Sequence, residues 1–396
     1  MIVASTAWAA CGALVIWLYL ALFRGGFWRA DQRLSDRIDE PSHWPKIAAV
    51  IPARDEAETI ARAVRSIAGQ DYPSDVTIVV VDDGSTDGTA DAAKSVASRS
   101  LVLDVIHGQP LPDGWTGKMW AVAQGIDRAG NLAPDAAYLL LTDADIEHAP
   151  DSLRRLVAKA EQEKLDLVSL MVKLRCQSPW EKLLIPAFVF FFQKLFPFPW
   201  VNNPSRKEAA AAGGCMLVRC TALSRIGGVS SIRDRVIDDC ALAAAIKPGG
   251  AIWLGLAGES RSLRGYDGLR GLWDMVARTA FVQLKNSYFL LFGAIFGMVV
   301  LYLTPPLAVL VGAWLADARI FLIGLCVWIF MTLLYLPTVR LYGAPRWRAM
   351  LLPVAALFYT AMTVASAWRT WRGRGAGWKG RSYGPPSRRP EQQVRE

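Results

Sequence analysis

The sequence has little of what builds metal clusters or disulfide frameworks. It holds three histidines and six cysteines (Cys11, Cys176, Cys215, Cys220, Cys240 and Cys326), with no CxxC pair and no histidine at ligand spacing. That excludes a cysteine-based metal or disulfide scaffold and indicates reduced, packed thiols in a cytosolic compartment. Basic residues nowhere interleave with aromatics along one globular stretch, so the net charge of +9 does not point to a nucleic acid partner. From Arg369 to Glu396 there are eight Lys or Arg against two Glu, and a basic tail directly behind an apolar segment suits anionic lipid headgroups. No basic segment precedes the first apolar run, Ile2 to Phe23, whereas Arg24, Arg29, Arg33 and Arg37 follow it. The order disfavours a cleaved signal peptide and favours an uncleaved anchor over residues 1–24, N-terminus outside.

What the sequence does have is apolar content. At 53% hydrophobic and 20% charged residues, the chain is too apolar for an ordinary soluble enzyme yet too charged to lie wholly in lipid, so a soluble domain with membrane segments is expected. Strand-like runs alternate with helical patterns: Ile47 to Ile51 precedes Thr59 to Ile67, Val76 to Val81 precedes Asp87 to Ala97, Leu101 to Ile106 precedes Lys118 to Arg128, and Tyr138 to Thr142 precedes Ser152 to Lys164. Four such units predict an α/β domain with a parallel, doubly wound sheet. Two of the runs end abruptly in carboxylates, Asp82-Asp83-Gly84-Ser85-Thr86-Asp87 and Asp143-Ala144-Asp145. Open α/β sheets bind ligands at the C-terminal edge of their strands, and acids gathered there call for a divalent cation or a polar ligand. The Asp82 to Asp87 turn also reads as a capped βα loop without a ligand.

Taken in order, Pro52-Ala53-Arg54-Asp55-Glu56, Val81 to Thr89, Gly117-Lys118 and Asp143-Ala144-Asp145 resemble the signature of family 2 glycosyltransferases with the GT-A fold, over roughly residues 45 to 285. The resemblance implies a GT-A mixed sheet, a nucleotide-sugar donor, UDP-linked by preference, a divalent cation (Mg²⁺ or Mn²⁺) and inversion at the anomeric carbon. It also implies that Pro52, Ala53, Arg54, Glu56 and Asp83 hold base and ribose, that Lys118 lies near the diphosphate, and that Asp143 and Asp145 grip ribose and metal. His148 reads as a surface histidine near a helix start. Ala211 to Val218 resembles the Gly-rich strand beside the sugar pocket. Asp238-Asp239 matches the acidic pair, with Asp239 the candidate general base and Asp238 compatible with a helix N-cap. Asp274 to Thr279 resembles a degraded (Q/R)xxRW element in which Arg278 remains, suited to the diphosphate.

Residues 180–200 combine Phe188, Phe190, Phe191 and Phe192 with Pro186 and Lys194, a pattern expected of an interfacial segment, or alternatively of a buried core helix. Three further apolar segments, Tyr288 to Ala316, Ile320 to Val339 and Met350 to Trp368, make a C-terminal transmembrane region over 286–369, ahead of a basic tail expected to be unstructured over 370–396. A cytoplasmic enzyme domain with three crossings places that tail outside, against the positive-inside tendency. The short loop bearing Arg340, Arg346 and Arg348 belongs inside. The overall plan is similar to the hopene-associated glycosyltransferases, and to carotenoid and ceramide glycosyltransferases, which implies a bacterial inner-membrane enzyme with a lipid acceptor. Two other readings stand beside it: a sugar-phosphate polyprenol synthase, and a catalytically silent membrane scaffold.

Overall fold

A computed structural model describes residues 2–35, 37, 40–98, 101–373, 377–378 and 381–382; most of the basic tail expected over 370–396 lies outside the described residues. The chain begins with helix α1 (Ile2–Phe23) and then enters an eight-stranded sheet. Strands β1 (Ile47–Ala53), β2 (Val76–Asp82), β3 (Val102–His107) and β4 (Tyr138–Thr142) lie in the order β3-β2-β1-β4, all parallel. Every residue of β1 is buried, because alternate side chains serve opposite faces. Ala48 and Val50 pack with Met119, Ala121 and Val122 of α4 (Gly117–Leu132). Ile47, Ala49 and Ile51 pack with Ile60, Val64 and Ile67 of α2 (Ile60–Ala68) and with Leu153, Leu156 and Val157 of α5 (Ser152–Gln162). The short helix α3 (Thr89–Lys94) adds Ala93 to this second layer.

Strand–helix alternation predicts a parallel sheet over the first four units, which β1 to β4 form, and the mixed sheet that the resemblance implies arises in the strands that follow. Past β4 come β5 (Ile146–Glu147), β6 (Leu167–Lys173), β7 (Cys215–Arg219) and β8 (Ile252–Ser262), and β7 runs antiparallel to both β4 and β6. Cys215 stands opposite Thr142 and Arg219 opposite Tyr138, so the chain enters β7 from the edge at which β4 ends. That reversal brings Gly213 and Gly214 to the same edge as Asp143 and Asp145. The result is a mixed sheet with two helical layers, closed on one side by α8 (Cys220–Arg225) and α9 (Asp238–Ile246).

Between sheet and apolar helices runs α6 (Pro179–Leu195), followed by the single turn α7 (Phe198–Val201). A capping box starts α6: Ser178 Oγ accepts from Glu181 N at 3.2 Å, while Glu181 Oε2 accepts from Ser178 N at 2.7 Å. Two of the aromatic side chains expected at headgroup depth pack against the protein's own rings. Phe190 packs on Phe27 and Tyr335, and Phe191 lies edge-on to Tyr302 and Tyr359. The physical reason is that α1 and the C-terminal helices offer α6 an apolar surface on the side the sheet leaves open.

Helix α10 (Gly268–Gln283) leads into α11 (Tyr288–Met298), a π turn over Val299–Leu303, α12 (Thr304–Trp314), α13 (Ala318–Leu341) and α14 (Leu352–Trp371). Among the described residues four stretches are long and apolar enough to cross a membrane: Ser5–Phe23, Tyr288–Trp314, Ala318–Leu341 and Arg346–Trp371. Pro305 has no amide hydrogen to give the carbonyl one turn earlier, that of Leu301. Trp17 of α1 donates its indole N–H to that carbonyl at 2.9 Å, and its ring meets Tyr302 edge-on at 5.4 Å. The first apolar stretch is thus fastened to the second by a backbone group that proline left open. Leu341, at the end of α13, joins the core beneath the sheet, which puts the Arg340 to Arg348 loop on the side of the α/β domain.

Helix α4 sits very close to the sheet at Gly125, where a Cβ would stand 2.4 Å from Val50 Cγ1 and 3.1 Å from Val81 Cγ2. Gly125→Ala is expected to lower stability by about 1–3 kcal/mol through overpacking. Gly130→Ala on the same helix, where a Cβ meets nothing within 4 Å, is expected to raise the thermal unfolding midpoint or leave it unchanged. The two midpoints, measured side by side, check the assignment.

Candidate active site

At the C-terminal edge of the sheet lies a cavity of about 1670 Å³. Three elements deliver its acids and their counter-ion. Strand β4 ends at Thr142 and presents Asp143 and Asp145. Helix α9 opens with Asp238 and Asp239. Helix α4, capped by Thr116, whose Oγ1 accepts from Met119 N at 3.4 Å, carries Lys118 in its first turn. Lys118 Nζ lies 2.9 Å from Asp143 Oδ1 and 3.1 Å from Asp238 Oδ2. Burial opposes its charge, yet Asp143, Asp238 and Asp239 outweigh burial and hold its pKa above the ordinary lysine value. Asp238 is the first residue of α9, after Ile237 at the N-cap position, so the expected capping use of Asp238 gives way to an ion pair.

Asp239 is the buried member of the group. Its Oδ2 accepts from Gly213 N at 2.9 Å and its Oδ1 from Cys240 N at 2.7 Å. Burial first, and repulsion from Asp238 second, raise its pKa to about 6, against the pull of Lys118. A Cβ at Gly213 would stand 3.3 Å from Lys118 Nζ and 3.5 Å from Asp239 Oδ2, so the small residue lets the backbone N–H approach the carboxylate closely.

A second ion pair cluster lies across the same cavity. Asp145 Oδ2 accepts from Ser262 Oγ at 2.6 Å and faces Arg264 Nε at 3.4 Å, while the Arg264 guanidinium also grips Glu56. Burial works against Arg264, but Asp145, Glu56 and Asp143 keep its pKa raised. Neither Ser262 nor Arg264 was anticipated. The signal was present: β8 is apolar from Ile252 to Ala257 and then turns polar at its end, the same pattern that marks Asp143. Glu181 Oε1 accepts from Tyr266 N at 3.3 Å, tying the start of α6 to this loop.

Of the residues expected to hold base and ribose, Pro52 and Glu56 line the cavity, as does Asp55. Ala53, fully buried in β1, Arg54 and Asp83, whose residue is 2% exposed, are not among the lining residues. They act behind it. Arg54 pairs with Asp83 through its carboxylate at 3.6 Å and its backbone carbonyl. The two loops are stitched by Asp55 N to Ser85 Oγ at 3.0 Å, Glu56 N to Thr89 Oγ1 at 2.8 Å and Ala57 N to Asp87 Oδ2 at 2.9 Å. Burial works against the Asp87 carboxylate, but hydrogen bonds from Thr89 Oγ1 at 2.5 Å, Ala57 N and Thr89 N at 3.1 Å lower its pKa. Arg278 lines the cavity from α10, and Asp274 of the same element pairs with Arg369 of α14 at 2.6 Å. His148 is buried rather than on the surface: it sits 2.9 Å from Thr142 Oγ1, beneath the Asp143 turn, and burial pushes its pKa down to about 4.

Among the described residues no group of three or more His, Cys, Asp or Glu side chains converges to chelate an ion by itself. The donor set still suits a hard cation that takes one or two carboxylates and completes its shell with phosphate oxygens and water, since Glu56, Asp143, Asp145, Asp238 and Asp239 gather around two cations, Lys118 and Arg264. The other end of the cavity is apolar. Its walls include Leu20 of α1, Phe188 and Phe192 of α6, Met298 of α11 and Tyr359 of α14.

Residues 48–227 match the family described as glycosyl transferase family 2. Dodecaprenyl-phosphate galacturonate synthase of Rhizobium johnstonii is 28% identical over 134 residues, 33% of this chain and 37% of that protein. The 4,4'-diaponeurosporenoate glycosyltransferase of Staphylococcus aureus is 40% identical over 84 residues, 21% of this chain and 20% of that one. The matched stretch spans well under half the length of either relative. Among solved structures, the mannosyltransferase PcManGT from Pyrobaculum calidifontis, in complex with GDP-Man and Mn²⁺, aligns with a TM-score of 0.49 at 18% identity, over 92% of this chain and 98% of that one.

Replacing Lys118 by Met removes the cation that opposes Asp239 protonation. The protonated-carboxyl infrared band assigned to Asp239 by subtraction of an Asp239→Asn spectrum is expected to persist to higher pH in Lys118→Met than in the parent protein, where it disappears near pH about 6.

Proposed function

We propose, on the premise that residues 48–227 are a glycosyl transferase family 2 domain of the GT-A type, that the whole chain is a membrane-anchored inverting glycosyltransferase, moving a sugar from a nucleotide-sugar donor to the hydroxyl of a lipid. The observation that carries this reading is the continuity of the cavity, which joins carboxylates at the sheet edge to an apolar compartment walled by α1, α6, α11 and α14. A donor with a charged diphosphate suits the first part, and an acceptor with a hydrocarbon body suits the second.

In the transfer, Asp239 takes the proton of the acceptor hydroxyl as its oxygen attacks the anomeric carbon from the face opposite the diphosphate. The new glycosidic bond forms as the bond to the leaving phosphate oxygen breaks, and the configuration inverts. The hydrogen bonds from Gly213 N and Cys240 N fix the carboxylate for this role. Its raised pKa makes it a better base than an exposed aspartate while leaving it ionised near neutrality. Lys118 holds Asp143 and Asp238 in place and offers positive charge to the departing diphosphate, with Arg264 and Arg278 on neighbouring walls. A Mg²⁺ or Mn²⁺ ion held by Asp143 and Asp145 would neutralise phosphate charge when bound. Pro52, Asp55 and Glu56 would line the nucleotide end, with Ala53, Arg54 and Asp83 setting the loop that carries them.

The donor is read as a UDP-sugar and the acceptor as a terpenoid lipid of the hopanoid kind, in a bacterial inner membrane with the α/β domain toward the cytoplasm. The Rhizobium relative's name supports a second reading, a polyprenyl-phosphate acceptor. A phosphate oxygen is already anionic and needs no base.

Asp239→Asn discriminates. For a hydroxyl acceptor it is expected to lower kcat about 10²–10⁴-fold with donor binding intact; unchanged turnover would identify a phosphate acceptor. With the parent protein, the hydroxyl reading requires the rate to fall as pH drops through about 6, because protonation removes the base, with a limiting slope of one. Mass spectrometry of lipid extracts incubated with nucleotide sugars reads both, and no glycosylated lipid from any donor would leave the scaffold reading standing.

A further inference from the structure

Acids face the cations at one end of the cavity; two cations at the other end are held by carbonyls, a hydroxyl and rings instead. Lys194, in the last turn of α6, and Arg24, just past α1, both line the cavity. Lys194 Nζ donates to Tyr302 Oη at 2.7 Å and stands 4.7 Å from the centre of the Tyr302 ring and 5.4 Å from that of Phe191. Arg24 donates from Nε to the Lys194 carbonyl at 3.2 Å and from Nη2 to the Leu195 carbonyl at 3.2 Å, and its guanidinium lies 4.9 Å from the Trp200 ring centre. Among the described residues neither has a carboxylate within ion-pair distance. The charged group that bears on Lys194 is Arg24, another cation; burial and that repulsion lower the Lys194 pKa to about 8.

Two like charges at the mouth of an apolar compartment are unfavourable unless an anion joins them. A bare hydrocarbon would gain nothing from either group, and among the described residues no carboxylate of the chain pairs with them. The ligand that satisfies both surroundings carries a hydrocarbon body and a compact, strongly accepting anion.

We propose that Lys194 and Arg24 form a subsite for the phosphate group of a lipid in the apolar part of the cavity. Two lipids present that chemistry, a phospholipid headgroup from the bilayer and the phosphate of a polyisoprenoid acceptor. The subsite itself does not require sugar transfer, so it is tested by binding without donor.

The full chain in neutral detergent is titrated, by native mass spectrometry, with two pairs of lipids: undecaprenyl phosphate against undecaprenol, and dioleoylphosphatidylglycerol against dioleoylglycerol. At least one phosphate lipid is expected to bind tenfold or more tightly than its phosphate-free counterpart. A preference for undecaprenyl phosphate assigns the subsite to the acceptor, and one for phosphatidylglycerol assigns it to the bilayer. The preference is expected to vanish in the double variant Lys194→Met/Arg24→Gln and to survive in Lys194→Arg. Equal affinity for both members of each pair, or a preference that the double variant retains, would overturn the proposal. UDP-sugar binding, followed in the same samples, reports on the donor end separately: its absence in the parent protein counts against the transferase reading and leaves the lipid result intact.

Discussion

The site depends on one buried ammonium. Lys118 comes from the start of α4, Asp143 from the end of β4 and Asp238 from the start of α9, elements spread over 120 residues of chain. Without a cation among them, acids brought this close would repel and take up protons. With it, the sheet edge can carry a concentration of negative oxygen that a helix N-terminus alone would not compensate. Asp239 profits from the same arrangement: it remains close enough to Lys118 to ionise, and buried enough to be basic.

Much of this was legible in the residues, because strands buried on both faces are long apolar runs and their ends are abrupt. Asp143 and Asp145 stand out for that reason, and so do Val76 to Asp82 and Tyr138 to Thr142, which the structure shows as β2 and β4 within a residue of the expected limits. The orientation of β7 was not legible. Nothing in Cys215 to Arg219 states which edge the chain enters from, since direction is decided by the long excursion through α6 and α7. Arg264 escaped notice because its meaning lies in partners 119 and 208 residues away, whereas a motif reports only its neighbours. Asp83 illustrates the converse. Its motif is conspicuous, yet its side chain turns inward to Arg54 and shapes a loop.

Helix α6 joins the two halves of the molecule. Its aromatic content suggested a surface at headgroup depth, and its actual surroundings are the protein's own apolar helices. Side chains of this kind cannot distinguish lipid from a helix bundle, as both are hydrocarbon. What distinguishes them is whether other helices arrive, and that is settled by the last third of the chain.

The bond from Trp17 to the carbonyl that Pro305 leaves open has a consequence for biogenesis. Helix α1 is synthesised some 280 residues before the carbonyl it meets, so during most of translation its indole is unanswered. Completion of the apolar helix bundle is therefore a late event, gated by emergence of the kinked helix rather than by folding of the α/β domain, which can be finished long before.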